Sequence, residues 1–502
     1  MEASKSFFDK LTIKHILVVG LVLRLLAVFF SPGYAFYDDH FELPELVYNW
    51  KNGISFLWTG SDVHVFSLVY PGILYLLFEA CHGVGINAPE DLMFVTRLFH
   101  ALFSLVSIYY AYLLTLRLTE NKDTAKWVAL AMAIFWIFPF MSVRTLREFF
   151  CIPFLLMGCY HIADPKFRYR SLCLAALFFA FSFSIRLQVV FIPLGIGLCL
   201  LFNKKYFKQA IVFGIAFIIA YFLTQGLFDL VYYGDPFANI KEYARYNSNP
   251  ANISSMPQGP WYQYIGTVAV ILFGFPFLVL LFGYINSARL SLQVRMLFWG
   301  SLLFFAFHSY YSNKQERFIL PFVPFFIMLG IIGWRDYFSS HTIQPWLKKT
   351  TNLILFWFFV LNMAGLLLLT FTYTKRSRVE SMIYLRKKGD VSNIIIEGEG
   401  TLQRPPTFYL GKHLDYYELP GTGEKAVSQL TNEIKNSGKP APNYVIMQGN
   451  QHFDQRLFRL QTLFNLTMDT VITTSFVDNL AYRLNPKHNR NENWYIYRIG
   501  RE

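Results

Sequence analysis

Charge is scarce in this chain: 15% of its 502 residues are Asp, Glu, Lys or Arg, against about 25% in soluble domains. That shortage excludes water as its main solvent. Cysteine is also sparse, and the five present (Cys81, Cys151, Cys159, Cys173, Cys199) all lie in apolar segments without metal-ligand spacing. They imply neither a disulfide framework nor a zinc site, and no metal or cofactor is assigned. Internal repeats and low-complexity tracts are absent. The acids, 32 against 45 Lys and Arg, leave a net charge of +13. The basic residues fall in short loops between apolar segments, as the positive-inside rule requires, so membrane lipids rather than nucleic acid are the expected partner.

What the chain has in quantity is apolar sequence: 54% of it is hydrophobic and 19% aromatic. The first apolar segment, Ile13 to Phe30, follows Lys5 and Lys10 and lacks a small-residue cleavage site, so it reads as a retained helix that starts in the cytoplasm. Ten further spans are expected near residues 91–117, 126–142, 147–163, 171–186, 187–202, 208–232, 262–284, 293–310, 317–335 and 352–373. One more apolar stretch, Phe66 to Cys81, carries Pro71 and Glu79. If it crossed, the basic loops around Lys122, Lys166, Lys204, Arg289 and Lys348 would move outside, against the charge rule. It is therefore expected to be re-entrant or interfacial within a long first outer loop, residues 31–90. The fold class expected is a polytopic α-helical membrane protein of about eleven spans, with its membrane domain over residues 1–373. Residues 374–502 mix charge, Pro and Gly, with helical runs at 377–388 and 423–436 and strand-like runs at Asn393–Glu397 and Tyr444–Met447. They read as a small C-terminal α/β domain on the outer face.

On this topology the unusual polar residues gather on the outer side. Asp38, Asp39, Glu42 and Glu45 put four carboxylates just after the first helix. Paired acids can supply a general base for an attacking hydroxyl, though such a run alone is also an ordinary solvated loop. Arg144 and Arg147 with Glu148 open one apolar span and Arg186 interrupts another, where charge is costly unless paired or facing a polar cavity. Guanidinium forks fit phosphate oxygens; snorkelling explains Arg144 and Arg147 equally well. The turn from His308 through Lys314, Glu316 and Arg317 to Pro321 has room for a phosphate clamp in which Glu316 orients a cation, or it is a plain charged hairpin. The loop 233–261, running on to Trp261 and Tyr264, is polar and aromatic together, which suits sugar rings and also suits an interfacial belt.

Together these clusters resemble glycosyltransferase family 22, the dolichyl-phosphate-mannose-dependent mannosyltransferases of N-glycan and GPI-anchor assembly, which have the GT-C fold. The family's His-Pro-Asp-Glu-x-Phe-Gln motif and the Glu after it are matched by Asp38, Asp39, Phe41, Glu42 and Glu45, with Phe36-Tyr37 in place of His-Pro. Its His-Lys-Glu-x-Arg-Phe motif resembles Asn313-Lys314-Gln315-Glu316-Arg317-Phe318. Its Tyr-Gly, Pro-Trp-x-x-Tyr and Arg-Thr elements resemble Tyr233-Gly234, Pro260-Trp261 with Tyr264, and Arg144-Thr145.

The resemblance implies an inverting, metal-independent transfer of a hexose, mannose in the family, from a polyprenyl-phosphate donor to a lipid-linked or surface glycan acceptor. Asp38 is the expected base and Asp39 the second choice. Arg144, Arg147, Arg186, Lys314 and Arg317 would bind the donor phosphate. Glu42, Glu45, His308, Glu316, Trp261 and Tyr264 would orient groups or bind acceptor. The expected location is the bacterial inner membrane, or the endoplasmic reticulum in a eukaryote, with the site on the periplasmic or lumenal side. The rivals are a related enzyme moving another sugar to protein or lipid A, and a transporter or flippase of lipid-linked sugar.

Overall fold

The computed structural model describes residues 10–53, 65–342, 344–486 and 489–500. The chain divides into two compact units. The first comprises Met1–Val28, Leu57–Ile73 and Arg97–Thr370; the second comprises Phe29–Phe56, Leu74–Thr96 and Phe371–Glu502.

The first unit is helical, because its apolar runs can satisfy backbone polar groups in lipid only within a helix. Among the described residues five helices are long and apolar enough to cross a membrane: Ile13–Phe30, Pro89–Thr119, Lys204–Tyr233, Glu316–Ser340 and Pro345–Thr370. The pair Gln263–Ile271 and Phe275–Ser287 passes only if taken together, and it bends by 112°. Phe273 and Gly274 at the bend both have positive φ, 58° and 84°, which reverses the chain there. Of the other expected spans, 293–310 falls on the 19-residue helix Leu292–Tyr310 and the rest on shorter helices. The run 126–142 breaks between Lys122–Ile134 and Ile137–Met141, and 147–163 between Arg147–Phe150 and Ile152–Ile162. The stretch from Phe66 to Cys81 carries the helix Val69–Gly83; its 15 residues rise about 22 Å at ~1.5 Å each, less than the ~30 Å of a hydrocarbon core.

Small residues allow close helix contact in this unit. A Cβ on Gly283 would lie 2.0 Å from the Gly330 carbonyl oxygen, so Phe275–Ser287 packs on Val323–Ser340 backbone to backbone. Two buried charged groups are matched internally. Arg24, inside the first apolar run, donates to Ser104 Oγ at 2.6 Å and to the carbonyls of Gly20, Met132 and Ala133. Asp229, four residues before the loop 233–261, is fully buried. It accepts from the Gln225 amide at 2.6 Å and the Asn239 N–H at 3.1 Å, while Ser67 donates to Gln225, so it braces the chain around a π-helical turn at Phe222–Gly226.

The second unit holds a five-stranded sheet, β1 (Ile394–Gly398), β2 (Tyr417–Pro420), β3 (Tyr444–Gln448), β4 (Leu466–Ile472) and β5 (Trp494–Ile499), in the order β2-β1-β3-β5-β4. β1 pairs in parallel with β2 and β3, and β5 pairs antiparallel with β3 and β4. Ile395, Leu419, Val445, Met447 and Leu460 form its core. The helices Arg376–Lys388 and Glu424–Asn436 lie where the sequence pattern puts them. This unit contains more chain than the expected 374–502, because part of the first loop builds on it. Tyr48 donates to the Gly411 carbonyl at 2.5 Å, and Phe78 stacks on Phe408 with centroids 5.9 Å apart.

Candidate functional site

In the first unit the polar residues of three separate turns meet at Glu148. The short helix Arg147–Phe150 starts after an extended Leu146, which turns Glu148 inward. Arg186 ends the helix Tyr169–Ile185 in an extended conformation, φ −143°, before the 3-10 turn Leu187–Val190. Its Nη1 lies 3.2 Å from Glu148 Oε1, and Arg317 Nε lies 3.6 Å from the same oxygen. Arg147 adds a third guanidinium to the field at this carboxylate. Phe318 backs the cluster, with the guanidinium carbons of Arg186 and Arg317 at 4.6 and 5.3 Å from its ring centre. Arg186 Nη2, Gln188 Oε1 and His308 Nε2 are buried without a hydrogen-bond partner among the described residues. Buried polar atoms are rarely left so unless they face a ligand, an ion or water.

Sequence spacing offered Glu316 as the group that orients Lys314 or Arg317, and the structure sets Arg317 beside Glu148. In the 3-10 turn Glu316–Phe322 successive side chains diverge by about 120°, so Glu316 is exposed while Arg317 is buried. Lys314 is buried too but spends its three N–H donors on the carbonyls of His308, at 2.6 Å, Ser309, at 2.8 Å, and Tyr311. It caps the helix Leu292–Tyr310 and has no N–H left for a phosphate oxygen. Arg144 stacks on Phe140 and lines a separate small cavity with His100 and Phe150. Trp261 is two-thirds exposed against Tyr262, whereas Tyr264 is buried and bonds the backbone of Gln315. The loop 233–261 is joined to the turn at Asn313: Lys314 N donates to the Pro257 carbonyl at 2.9 Å, and Tyr311 to that of Asn247, also at 2.9 Å.

The second unit carries the acidic run. Asp38–Phe41 forms a single helical turn, and Pro44 opens the next helix, Pro44–Lys51, at a position that needs no N–H. Asp38 is partly exposed; Asp39, Glu42 and Glu45 are buried. Asp39 accepts the Ala35 N–H at 2.8 Å through Oδ2. Burial draws the nearby Lys375 ammonium down to about 8, against the favourable field of Asp478 and Asp39. Glu45 has both oxygens occupied: Thr407 donates to Oε1, the Phe408 N–H to Oε2 at 2.9 Å, and His40 Nε2 lies 3.2 Å from Oε2. His40 is stacked between Tyr34 and Tyr409. Burial opposes ionisation of Glu45, but these partners outweigh it and hold the carboxyl below its ordinary range. Its geometry is that of a fastener for the turn Thr407–Leu410. Arg404 donates to Tyr37 at 3.0 Å and lies over Phe41, a contact that residue spacing gives no means of finding.

Sequence reading missed Glu148 as the pivot of the arginines and His40 as the partner of Glu45. The signal for Glu148 was present, a carboxylate directly before Phe149-Phe150 in an apolar run.

A multi-pass helical protein with a small mixed sheet and a buried cationic cluster is the class this fold defines, and its solved neighbours are GT-C membrane glycosyltransferases. The chain resembles ArnT from Cupriavidus metallidurans, bound to undecaprenyl phosphate, with a TM-score of 0.60 at 12% identity over 97% of this chain and 98% of that one. It also resembles the Archaeoglobus fulgidus oligosaccharyltransferase AglB, in complex with an inhibitory peptide and a dolichol-phosphate, with a TM-score of 0.50 at 12% identity over 88% and 70%. Residues 15–410 match the Alg9-like mannosyltransferase family, and the chain belongs to that family. Two curated relatives are the GPI alpha-1,2-mannosyltransferase 3 of Mus musculus, 20% identical over 68% of this chain, and of Homo sapiens, 21% identical over 74%. The matches span 61% and 65% of those proteins' own lengths.

Proposed function

We propose that this protein transfers mannose, with inversion, from polyprenyl-phosphate mannose to a glycan acceptor at the outer or lumenal membrane face. The observation that carries the reading is the buried, unpartnered Nη2 of Arg186, in a cluster where Arg186 and Arg317 both face Glu148. An anion answers it, and the leaving group of this reaction is a phosphate. Membership of the Alg9-like family supports mannose as the sugar. The undecaprenyl phosphate and dolichol-phosphate held by two proteins of similar fold support the lipid carrier.

Each residue then has a distinct task. Asp38 takes the proton from the acceptor hydroxyl, whose oxygen attacks the anomeric carbon as the bond to the phosphate oxygen breaks. Asp38 suits this role better than Asp39, because it is partly exposed while Asp39 is buried. Arg186 and Arg317 balance the charge that grows on the phosphate, and Glu148 holds both guanidiniums ready without reorganisation. The test is mannose transfer from a radiolabelled polyprenyl-phosphate donor in membranes containing the protein. Transfer should depend on the chain and fail with GDP-mannose as donor once donor-lipid synthesis is blocked; equal transfer from both would refute the reading.

A further inference from the structure

The second unit contains a pocket that the reaction above does not use. Its volume is about 240 Å³, and Gly398, Glu399, Gln448, Gly449, Tyr482, Arg490, Glu492 and Trp494 are among the residues that line it. Gly398 and Gln448 are the last residues of the parallel neighbours β1 and β3, so the pocket opens at their carboxyl ends. The chain leaving β1 runs to β2 on one side of the sheet, and the chain leaving β3 runs to β4 on the other. This divergence opens a crevice, and open α/β sheets bind their ligands at such switch points.

The floor of the pocket is rigid. Arg456 is clamped by both oxygens of buried Glu397, at 2.8 and 2.6 Å, and donates to the carbonyls of Gln448 and Gln451 at 2.9 and 2.8 Å. Gln448 exchanges two hydrogen bonds with the backbone of Gln403, 2.8 and 2.7 Å long. Arg490 ties down the opposite loop through the carbonyls of Glu399 and Thr401. Above this floor the charges are mixed. Glu399, Glu492 and Arg490 all line it; His452 Nδ1 lies 2.8 Å from Glu399, the Tyr482 hydroxyl bonds Glu492, and the charge of Arg456 is matched by Glu397. Two carboxylates discourage a phosphate, and the Arg490 guanidinium in the same lining discourages a cation. Sugar hydroxyls suit this lining, since each can donate to the remaining lone pairs of a carboxylate and accept from Arg490.

We infer that this pocket binds one neutral sugar residue, a unit of the glycan acceptor remote from the hydroxyl that reacts. The volume supports a single ring, being below the roughly 300–1,000 Å³ of pockets that take drug-sized ligands. Only the source of the sugar rests on the proposed transfer reaction; the pocket chemistry stands apart from it.

Ligand-observed saturation-transfer NMR on the full chain in nanodiscs, with methyl α-D-mannopyranoside as probe, tests this. Glu492→Gln and Tyr482→Phe should each weaken the glycoside signal by about tenfold, the size of one hydrogen bond. Inorganic phosphate should not compete. Asp38→Asn should leave the signal unchanged. Tyr482→Phe removes one oxygen only, so it stays informative if Glu492→Gln unfolds the domain. A signal that both pocket variants leave intact, or that phosphate displaces, overturns the inference. Loss of mannose transfer with glycoside binding preserved would instead count against the proposed function alone.

Discussion

Asp38 and Asp39 are neighbours in sequence with different surroundings, and that difference sets what their substitutions should do. Asp38→Asn keeps size and hydrogen-bonding capacity but cannot take a proton, so turnover should fall on the order of 100-fold to 10,000-fold with donor affinity unchanged. Asp39 is buried on the Ala35 N–H, so Asp39→Asn should lower thermal stability as well as turnover. Steady-state kinetics and a melting curve on both variants separate the roles; full turnover in Asp38→Asn would exclude it as the base. Lys314→Met makes a different prediction. Because its ammonium caps a helix through three carbonyls, the variant should be less stable while a folded fraction keeps its affinity for donor. A selective rise in donor KM with normal stability would return Lys314 to the phosphate.

Among the elements, the attachment of the first loop to the turn Thr407–Leu410 has a pH signature. The Glu45 carboxyl is held below its ordinary range in the folded state. Its contribution is therefore complete above the unfolded carboxylate pKa and is lost as pH falls through the folded value. Acid unfolding of the C-terminal unit, followed by tryptophan fluorescence, should begin at higher pH in Glu45→Gln, and the variant should be less stable at pH 7. Identical acid transitions would remove Glu45 as the fastener. This attachment also marks where sequence reading stops. Helix Arg376–Lys388 and strands β1 and β3 show their periodicity openly, with a buried β1 of three consecutive isoleucines. The pairing of Glu45 with residues more than 360 positions away leaves no periodic trace. Glu148 was obscured for a related reason: its partners come from two distant turns, and the nearer candidate, Glu316, is turned outward by 3-10 geometry.

For the whole molecule, hydropathy made the membrane fold legible before any coordinates, because the cost of unpaired backbone groups in lipid leaves helices as the answer. Span integrity was less legible, since the breaks near Trp136 and Phe273 arise from packing and positive φ that apolar composition hides. The topology argued from charge remains testable with single cysteines placed at positions 205 and 240 in a background lacking Cys173, the exposed native thiol. They should label from opposite sides of the membrane, and labelling from one side would reverse the assigned faces. The central claim is that the arginines around Glu148 hold a lipid phosphate. The measurement that tests it most directly is the affinity of the purified protein for polyprenyl phosphate and for the matching neutral polyprenol. The phosphate should bind far more tightly, and Arg186→Gln should weaken it by about 10- to 100-fold, the worth of a hydrogen bond between charged groups. Equal affinity for phosphate and alcohol, or an unchanged affinity in Arg186→Gln, would contradict the account.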